Sequence, residues 1–173
     1  MTIIQIKRRE KTYFKGVCLH HDAGGIGVAH NGNLTNALTL RRQLVDKGAI
    51  FQSTSDSEVV IHLIATSTYL NLQDKFIDAM RRIEGAFAFV ALSEDCLIGA
   101  RDPLGVRPLV LGLLNDESYI FASETCALDI IGAEYVRDVE PGEVVTITKK
   151  GLNSVKPFPE QSARPCIFEH VYF

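Results

Sequence analysis

The feature that most constrains the fold is a change of period part-way along the chain. Between Leu34 and Ile83, apolar residues recur every three or four positions, whereas from Ala86 onward short apolar runs alternate with turn residues. Leu34, Ala37, Leu38, Leu44 and Val45 fall near one helical face, and Gly48 can close that helix in a left-handed cap. Ser55-Asp56-Ser57-Glu58 has the form of a capping box ahead of Val59, Val60, Leu63 and Ile64. A third helical stretch, Asp74 to Ile83, sets Phe76, Ile77, Met80 and Ile83 at helical spacing and stops at Gly85. Strands are expected over 86–92, 97–100, 109–113, 119–122 and 144–148, most of them separated by Gly, Pro, Asn or Asp. Ahead of all this, Gly25-Ile26-Gly27-Val28-Ala29-His30 suits a buried strand packed closely against its neighbours. One strand, a group of helices and then successive strands imply an α+β domain with antiparallel sheets.

Residues 1–24 show no clean period and yield no element. The domain proper is expected over 25–155, and the Pro-containing stretch 156–173 reads as a linker or an edge.

Composition narrows the function classes. Of 173 residues, 46% are hydrophobic and 23% charged, with a net charge of −3, as in ordinary globular proteins. No Lys/Arg cluster with interleaved aromatics is present, so a nucleic-acid partner is not expected. No apolar run reaches the roughly 20 residues that span a bilayer, and the first ten residues lack the order of a secretory signal. The expectation is a cytoplasmic protein. The four cysteines (Cys18, Cys96, Cys126 and Cys166) form no C-x-x-C pair and read as free thiols.

Three segments could carry chemistry. Asn31-Gly32 reads first as a plain turn, because both residues tolerate positive φ. The same pair can also serve acyl transfer: a tetrahedral oxyanion needs about two fixed donors, and a side-chain amide beside an unobstructed backbone N–H supplies them. Asp56 can complement the dipole of its helix, or hold a substrate ammonium. Arg101-Asp102-Pro103-Leu104-Gly105-Val106-Arg107-Pro108 reads as a braced turn between strands, with Arg101 and Asp102 pairing locally. Cys18 with His20, His21 and Asp22 has the residue types of a metal or thiol–imidazole site, but fits no ligand spacing.

Taken together, several stretches resemble amidophosphoribosyltransferase, a class II glutamine amidotransferase of purine synthesis. They are Gly24-Gly25-Ile26-Gly27-Val28-Ala29-His30-Asn31-Gly32-Asn33-Leu34-Thr35-Asn36, Ser55-Asp56-Ser57-Glu58-Val59, the Arg101 to Leu109 segment, Ala122 to Asp129, Val139-Glu140-Pro141-Gly142-Glu143 and Pro165 to Phe173, in the family's order. Other class II amidotransferases, such as glucosamine-phosphate synthase, share the Asn-Gly pair and a similar Ser-Asp-x-Glu segment. The resemblance implies an N-terminal-nucleophile αββα sandwich of antiparallel sheets, incomplete in these residues. It implies that the Asn31 side chain and the Gly32 N–H form an oxyanion hole, and that Asp56 receives the α-amino group of glutamine.

The resemblance also implies what these residues lack. Its nucleophile is a cysteine followed by glycine, far upstream of the Asn-Gly pair, with an arginine-containing segment between them that binds the glutamine carboxylate. Here Cys18 is followed by Leu19, and neither feature is present. The phosphoribosyl pyrophosphate half, with its magnesium, would follow Phe173. The chain is therefore expected to be inactive alone, either as part of a homo-oligomeric amidophosphoribosyltransferase or as a non-catalytic remnant of the glutamine pocket. Cys166 falls where some members place an iron–sulfur ligand, but such a cluster usually needs four thiolates, so no cofactor is expected in this chain.

Overall fold

The computed structural model describes residues 3–5, 17–21, 24–115, 118–159, 161, 162, 164 and 166, with side chains from Gly25 onward. In chain order the elements are β1 (Ile3–Gln5), β2 (Val17–His21), β3 (Gly24–Leu34), α1 (Ala37–Asp46), α2 (Asp56–Ala65), α3 (Leu72–Arg82), β4 (Gly85–Leu92), β5 (Cys96–Arg101), β6 (Val110–Leu114), β7 (Ser118–Ala122), α4 (Thr125–Ile131), β8 (Glu134–Asp138), β9 (Val144–Thr148) and β10 (Gly151–Val155). They build two sheets, a six-stranded one in the order β10-β9-β5-β4-β3-β2 and a four-stranded one in the order β1-β7-β6-β8. Every pairing is antiparallel.

Strand alternation separates three apolar layers. Val28, Phe87, Phe89, Ala91, Ile98, Ala100 and Val144 face α1, α2 and α3 and pack with Leu44, Val59, Leu63, Phe76 and Met80. The opposite face of the same sheet, through Ala29, Ala88, Val90, Leu97 and Val145, meets Leu111 and Phe121 of the smaller sheet and Leu109 and Val139 next to its strand ends. The outer face of the smaller sheet, through Val110, Ile120 and Ala122, is covered by Ala127 and Leu128 of α4. The order helix, sheet, sheet, helix is the αββα sandwich, an α+β fold of the N-terminal-nucleophile type. Phe76, Phe87, Phe89 and Phe121 are among the fully buried side chains, and burying one such ring stabilises by roughly 1.5–3 kcal/mol.

Local chemistry fixes the helix starts. Asn71 caps α3 by accepting from the Asp74 N–H at 2.8 Å, while Arg81 and Arg82 in its last turn complement the dipole. At α2 the Ser55 hydroxyl accepts from the Ser57 N–H at 3.2 Å, but the reciprocal half of a capping box is not made. The Glu58 carboxylate instead takes the Gln52 N–H at 2.6 Å and the Ser53 N–H at 2.8 Å, with the Ser53 hydroxyl also donating to it. Burial alone would raise the Glu58 pKa, but the Ser53 and Gln52 donors outweigh it and hold the group below its ordinary value.

Several expectations change. Residues 1–24 contain β1 and β2, and β2 adds a strand to the larger sheet in the register Val17↔Val28 to His21↔Gly24. Asn31-Gly32 is not a turn: both residues lie inside β3, which runs on to Leu34 opposite Gly85. The sequence carries no clear signal for α4, β8 or β10, since none has a long apolar period; four of the five β8 residues are exposed.

The space between the sheets tolerates no extra carbon at Gly99, where an added Cβ would come within 2.6 Å of the Phe121 ring. Gly99→Val is expected to destabilise by about 1–3 kcal/mol through overpacking, read as a lowered urea midpoint at unchanged m-value. Acid should also weaken the fold. Glu143 is buried, which alone would raise its pKa, but Arg137, Ser154 and the Glu140 N–H donate to it and bring the net value below the ordinary one. A carboxyl group depressed in the folded state stabilises above its unfolded pKa and loses that contribution as pH falls through the folded one. Urea midpoints should therefore fall below about pH 4.5, and Glu143→Gln should flatten that decline.

Candidate functional site

The site is built where β3 passes between the two layers. His30 and Asn31, being adjacent in a strand, face opposite ways. His30 stacks flat on Phe89 of β4, with ring centroids 4.1 Å apart and planes 9° apart, on the helical side. Asn31 lies opposite Ala88 and faces the smaller sheet, beside a cavity of about 10 Å³ lined by Ala29, His30, Asn31, Ala88, Val90, Leu109 and Ser123.

Gly32 follows with φ +145°, and a Cβ there would lie 2.1 Å from the Ala86 carbonyl oxygen. Only glycine fits so close a backbone approach. Its N–H direction follows from the ladder. Phe87, opposite Gly32, gives its carbonyl to the Asp102 N–H at 2.9 Å on the far side of β4. In an antiparallel pair such positions alternate, so Gly32 turns its N–H away from β4.

Asp56, the first residue of α2, reaches the same strand. One carboxylate oxygen accepts from the Leu34 N–H at 3.3 Å and the other lies 3.3 Å from His30 Nδ1. Burial pushes the His30 pKa below its ordinary 6.5; the Asp56 carboxylate works against that shift and the Arg107 charge adds to it. The contact from His30 Nδ1 occupies one Asp56 oxygen and the Leu34 N–H the other. The Asp56 side chain keeps 27% of its surface open, so a cation can still approach it.

The structure thus brings Asn31, Gly32 and Asp56 to one five-residue stretch of β3. Asp56 and Gly32 lie outside the lining of the small cavity, and His30 belongs both to that lining and to the Asp56 contact. His30 carried no signal of its own in the sequence. The Arg101 to Pro108 segment is a braced turn, though not through an Arg101–Asp102 pair. Asp102 takes the N–H groups of Leu104, Val106 and Arg107, and Arg101 donates to the carbonyls of Gly105, Arg107 and Val139. The Arg107 guanidinium then donates to Asn31 Oδ1.

Cys18, His20 and His21 are described as backbone of β2, and Asp22 lies outside the described residues. Among the described residues no three His, Cys, Asp or Glu side chains gather into a metal-binding group. Cys96 is buried, Cys126 exposed and Cys166 intermediate, all as free thiols. No described helix is long and apolar enough to cross a membrane.

A family model described as a glutamine amidotransferase domain matches residues 18–129. The chain belongs to the glutamine amidotransferase domain family. The matched stretch of this amidotransferase domain includes β3, Asp56 and the Arg101 to Pro108 turn. An amidophosphoribosyltransferase of Rhizobium etli is 56% identical over 157 residues, covering 88% of this chain and 32% of that protein. The Bacillus subtilis amidophosphoribosyltransferase is 43% identical and covers 87% of this chain and 31% of its own length. The chain therefore spans about a third of the length of these relatives. Among solved structures, the Bacillus subtilis glutamine phosphoribosylpyrophosphate amidotransferase complexed with ADP and GMP superimposes with a TM-score of 0.88 at 40% identity, covering 92% of this chain and 35% of that one. A class-II glutamine amidotransferase domain protein from Silicibacter pomeroyi, 16% identical with a TM-score of 0.57, shares the fold.

Two measurements check the site. Because the Asp56 charge raises the His30 pKa, Asp56→Asn is expected to lower it further, seen as a downward shift of the His30 imidazole titration by NMR. Gly32→Ala is expected to destabilise by at least about 1–3 kcal/mol from backbone strain, read by thermal denaturation.

Proposed function

We propose that these residues belong to the glutamine-hydrolysing half of an amidophosphoribosyltransferase, with Asn31 and Gly32 as the oxyanion donors and Asp56 as the receptor of the glutamine α-amino group. The observation that carries this reading is the placement of a partly open Asp56 carboxylate against His30 and the Leu34 N–H, at the two ends of the short stretch of β3 that holds Asn31 and Gly32. An ammonium can replace solvent at Asp56 while its side-chain amide extends along β3. As the amide carbon becomes tetrahedral, its oxygen gains negative charge, and the Asn31 amide and Gly32 N–H are the donors suited to it.

The resemblance assigns the attacking step to a cysteine thiolate whose own α-amino group serves as base. Attack forms a thioester with glutamate and releases ammonia; water then frees glutamate. In the assembled protein the ammonia would displace pyrophosphate from phosphoribosyl pyrophosphate, giving phosphoribosylamine. The same reading takes that protein to be cytoplasmic and homo-oligomeric, with magnesium and phosphoribosyl pyrophosphate bound outside these 173 residues. The described residues do not fit a metal cluster, since Cys166 supplies one thiol and no three ligand-type side chains gather.

Two experiments test the reading. The 173-residue polypeptide is expected to show no glutaminase turnover; turnover blocked by a thiol-directed glutamine analogue would refute this. Calorimetry should find glutamine binding weaker than micromolar and abolished by Asp56→Asn; binding indifferent to that change would remove Asp56 from the site. In a protein that also carries the nucleophile, Asn31→Ala should lower kcat by about 10²–10³-fold.

A further inference from the structure

The Arg101 to Pro108 turn is more heavily braced than a turn requires. Pro103 and Gly105, the latter at φ +64°, already suffice to reverse the chain. Yet the fully buried Asp102 carboxylate is spent on three N–H groups, at 3.0, 3.1 and 3.1 Å. Arg101 adds three carbonyl contacts at 2.8, 2.9 and 3.0 Å. One residue is held from both sides by these two: the Arg107 N–H donates to Asp102 and the Arg107 carbonyl accepts from Arg101. The guanidinium so delivered meets Asn31, which is 76 positions away in sequence.

That contact solves a problem specific to an asparagine that must act as a donor. The two ends of its amide are nearly the same size, one accepting and one donating, so a freely turning group presents its oxygen as readily as its NH2. An oxygen aimed at a developing oxyanion repels it. A guanidinium carries donors and no acceptor, so it can hold only the oxygen end. We propose that Arg107 is the positioning residue for the oxyanion donor, fixing the Asn31 amide with its oxygen toward the Asp102 turn and its NH2 toward the reacting amide. This rests on the reading of Asn31 given above. The apolar walls beside Asn31 (Ala29, Ala88, Val90 and Leu109) leave a cavity with room for about one water, so little solvent competes for the bond.

The test uses the isotope-labelled 173-residue chain and three-bond couplings that report the Asn31 side-chain rotamer. Without ligand, the unaltered chain should show a single rotamer. Arg107→Met, which keeps the stem and removes the donors, should show averaged couplings, and Arg107→Lys, which keeps a donor, should restore the single rotamer in part. A single rotamer in a folded Arg107→Met chain would overturn the proposal. If that variant fails to fold, Arg107→Gln, which has the shorter reach, is read in its place by the same criterion.

Glutamine titration then separates the proposal from the site assignment. In the unaltered chain glutamine should move the Asn31 NH2 signals, and Arg107→Met should weaken binding by at least about tenfold, as loss of a charge-assisted arrangement implies. Equal affinity in the two chains would also overturn the proposal. Signals that glutamine leaves unmoved, with the rotamer result intact, would sink the assignment of the glutamine site and not the arrangement of Arg107 and Asn31.

Discussion

The pairing of β3 with β4 is the constraint on which the rest depends. Its register, Gly27↔Leu92 through Leu34↔Gly85, runs the length of β4 and most of β3, and sets which side chains face the helices and which face the second sheet. Val28 and Phe89 enter the helical core, and Ala29 and Ala88 enter the inter-sheet core. With those four fixed, His30 can only stack on Phe89 and Asn31 can only face the smaller sheet. The position of Gly32 against the Ala86 carbonyl follows from the same ladder.

Around that pairing, two braced segments deliver one functional side chain each. Glu58 ties the loop at Gln52 and Ser53 to the first turn of α2 and so sets Asp56 beside Leu34. Asp102 and Arg101 tie the turn that carries Arg107 to Asn31. Both braces use a buried carboxylate against backbone N–H groups, which suits a low-dielectric setting where an unpaired charge would cost several kcal/mol. The two functional loops lie on opposite faces of β3 and touch it within four residues of one another.

The sequence made some of this legible and hid the rest for identifiable reasons. The helices α2 and α3 announced themselves through Val59 to Ile64 and Phe76 to Ile83, where the apolar period is unbroken. The strands β4, β5 and β9 are buried on both faces and read as apolar runs. By contrast β8 and β10 are largely exposed, and their residues carry little alternation to detect. Asn31-Gly32 looked like a turn because local preference cannot register a partner strand 55 residues later that accepts a glycine at positive φ. Asp56 is legible as a candidate, but its link to His30 is not, since nothing local marks a histidine whose partner lies 26 positions away. The Arg101 turn is legible as braced, but nothing in the sequence separates its cargo, Arg107, from its scaffolding.

The face-to-face division at His30 and Asn31 has a consequence for how this chain tolerates error. A slip of β3 by one residue against β4 would keep most of the ladder's hydrogen bonds, yet exchange the two neighbours, sending the imidazole between the sheets and the amide under the helices. Gly32 works against this: the backbone conformation that the ladder takes opposite Phe87 leaves no room for a Cβ beside the Ala86 carbonyl. The glycine that opens space for a reacting group is thus also the pin that keeps the strand in step.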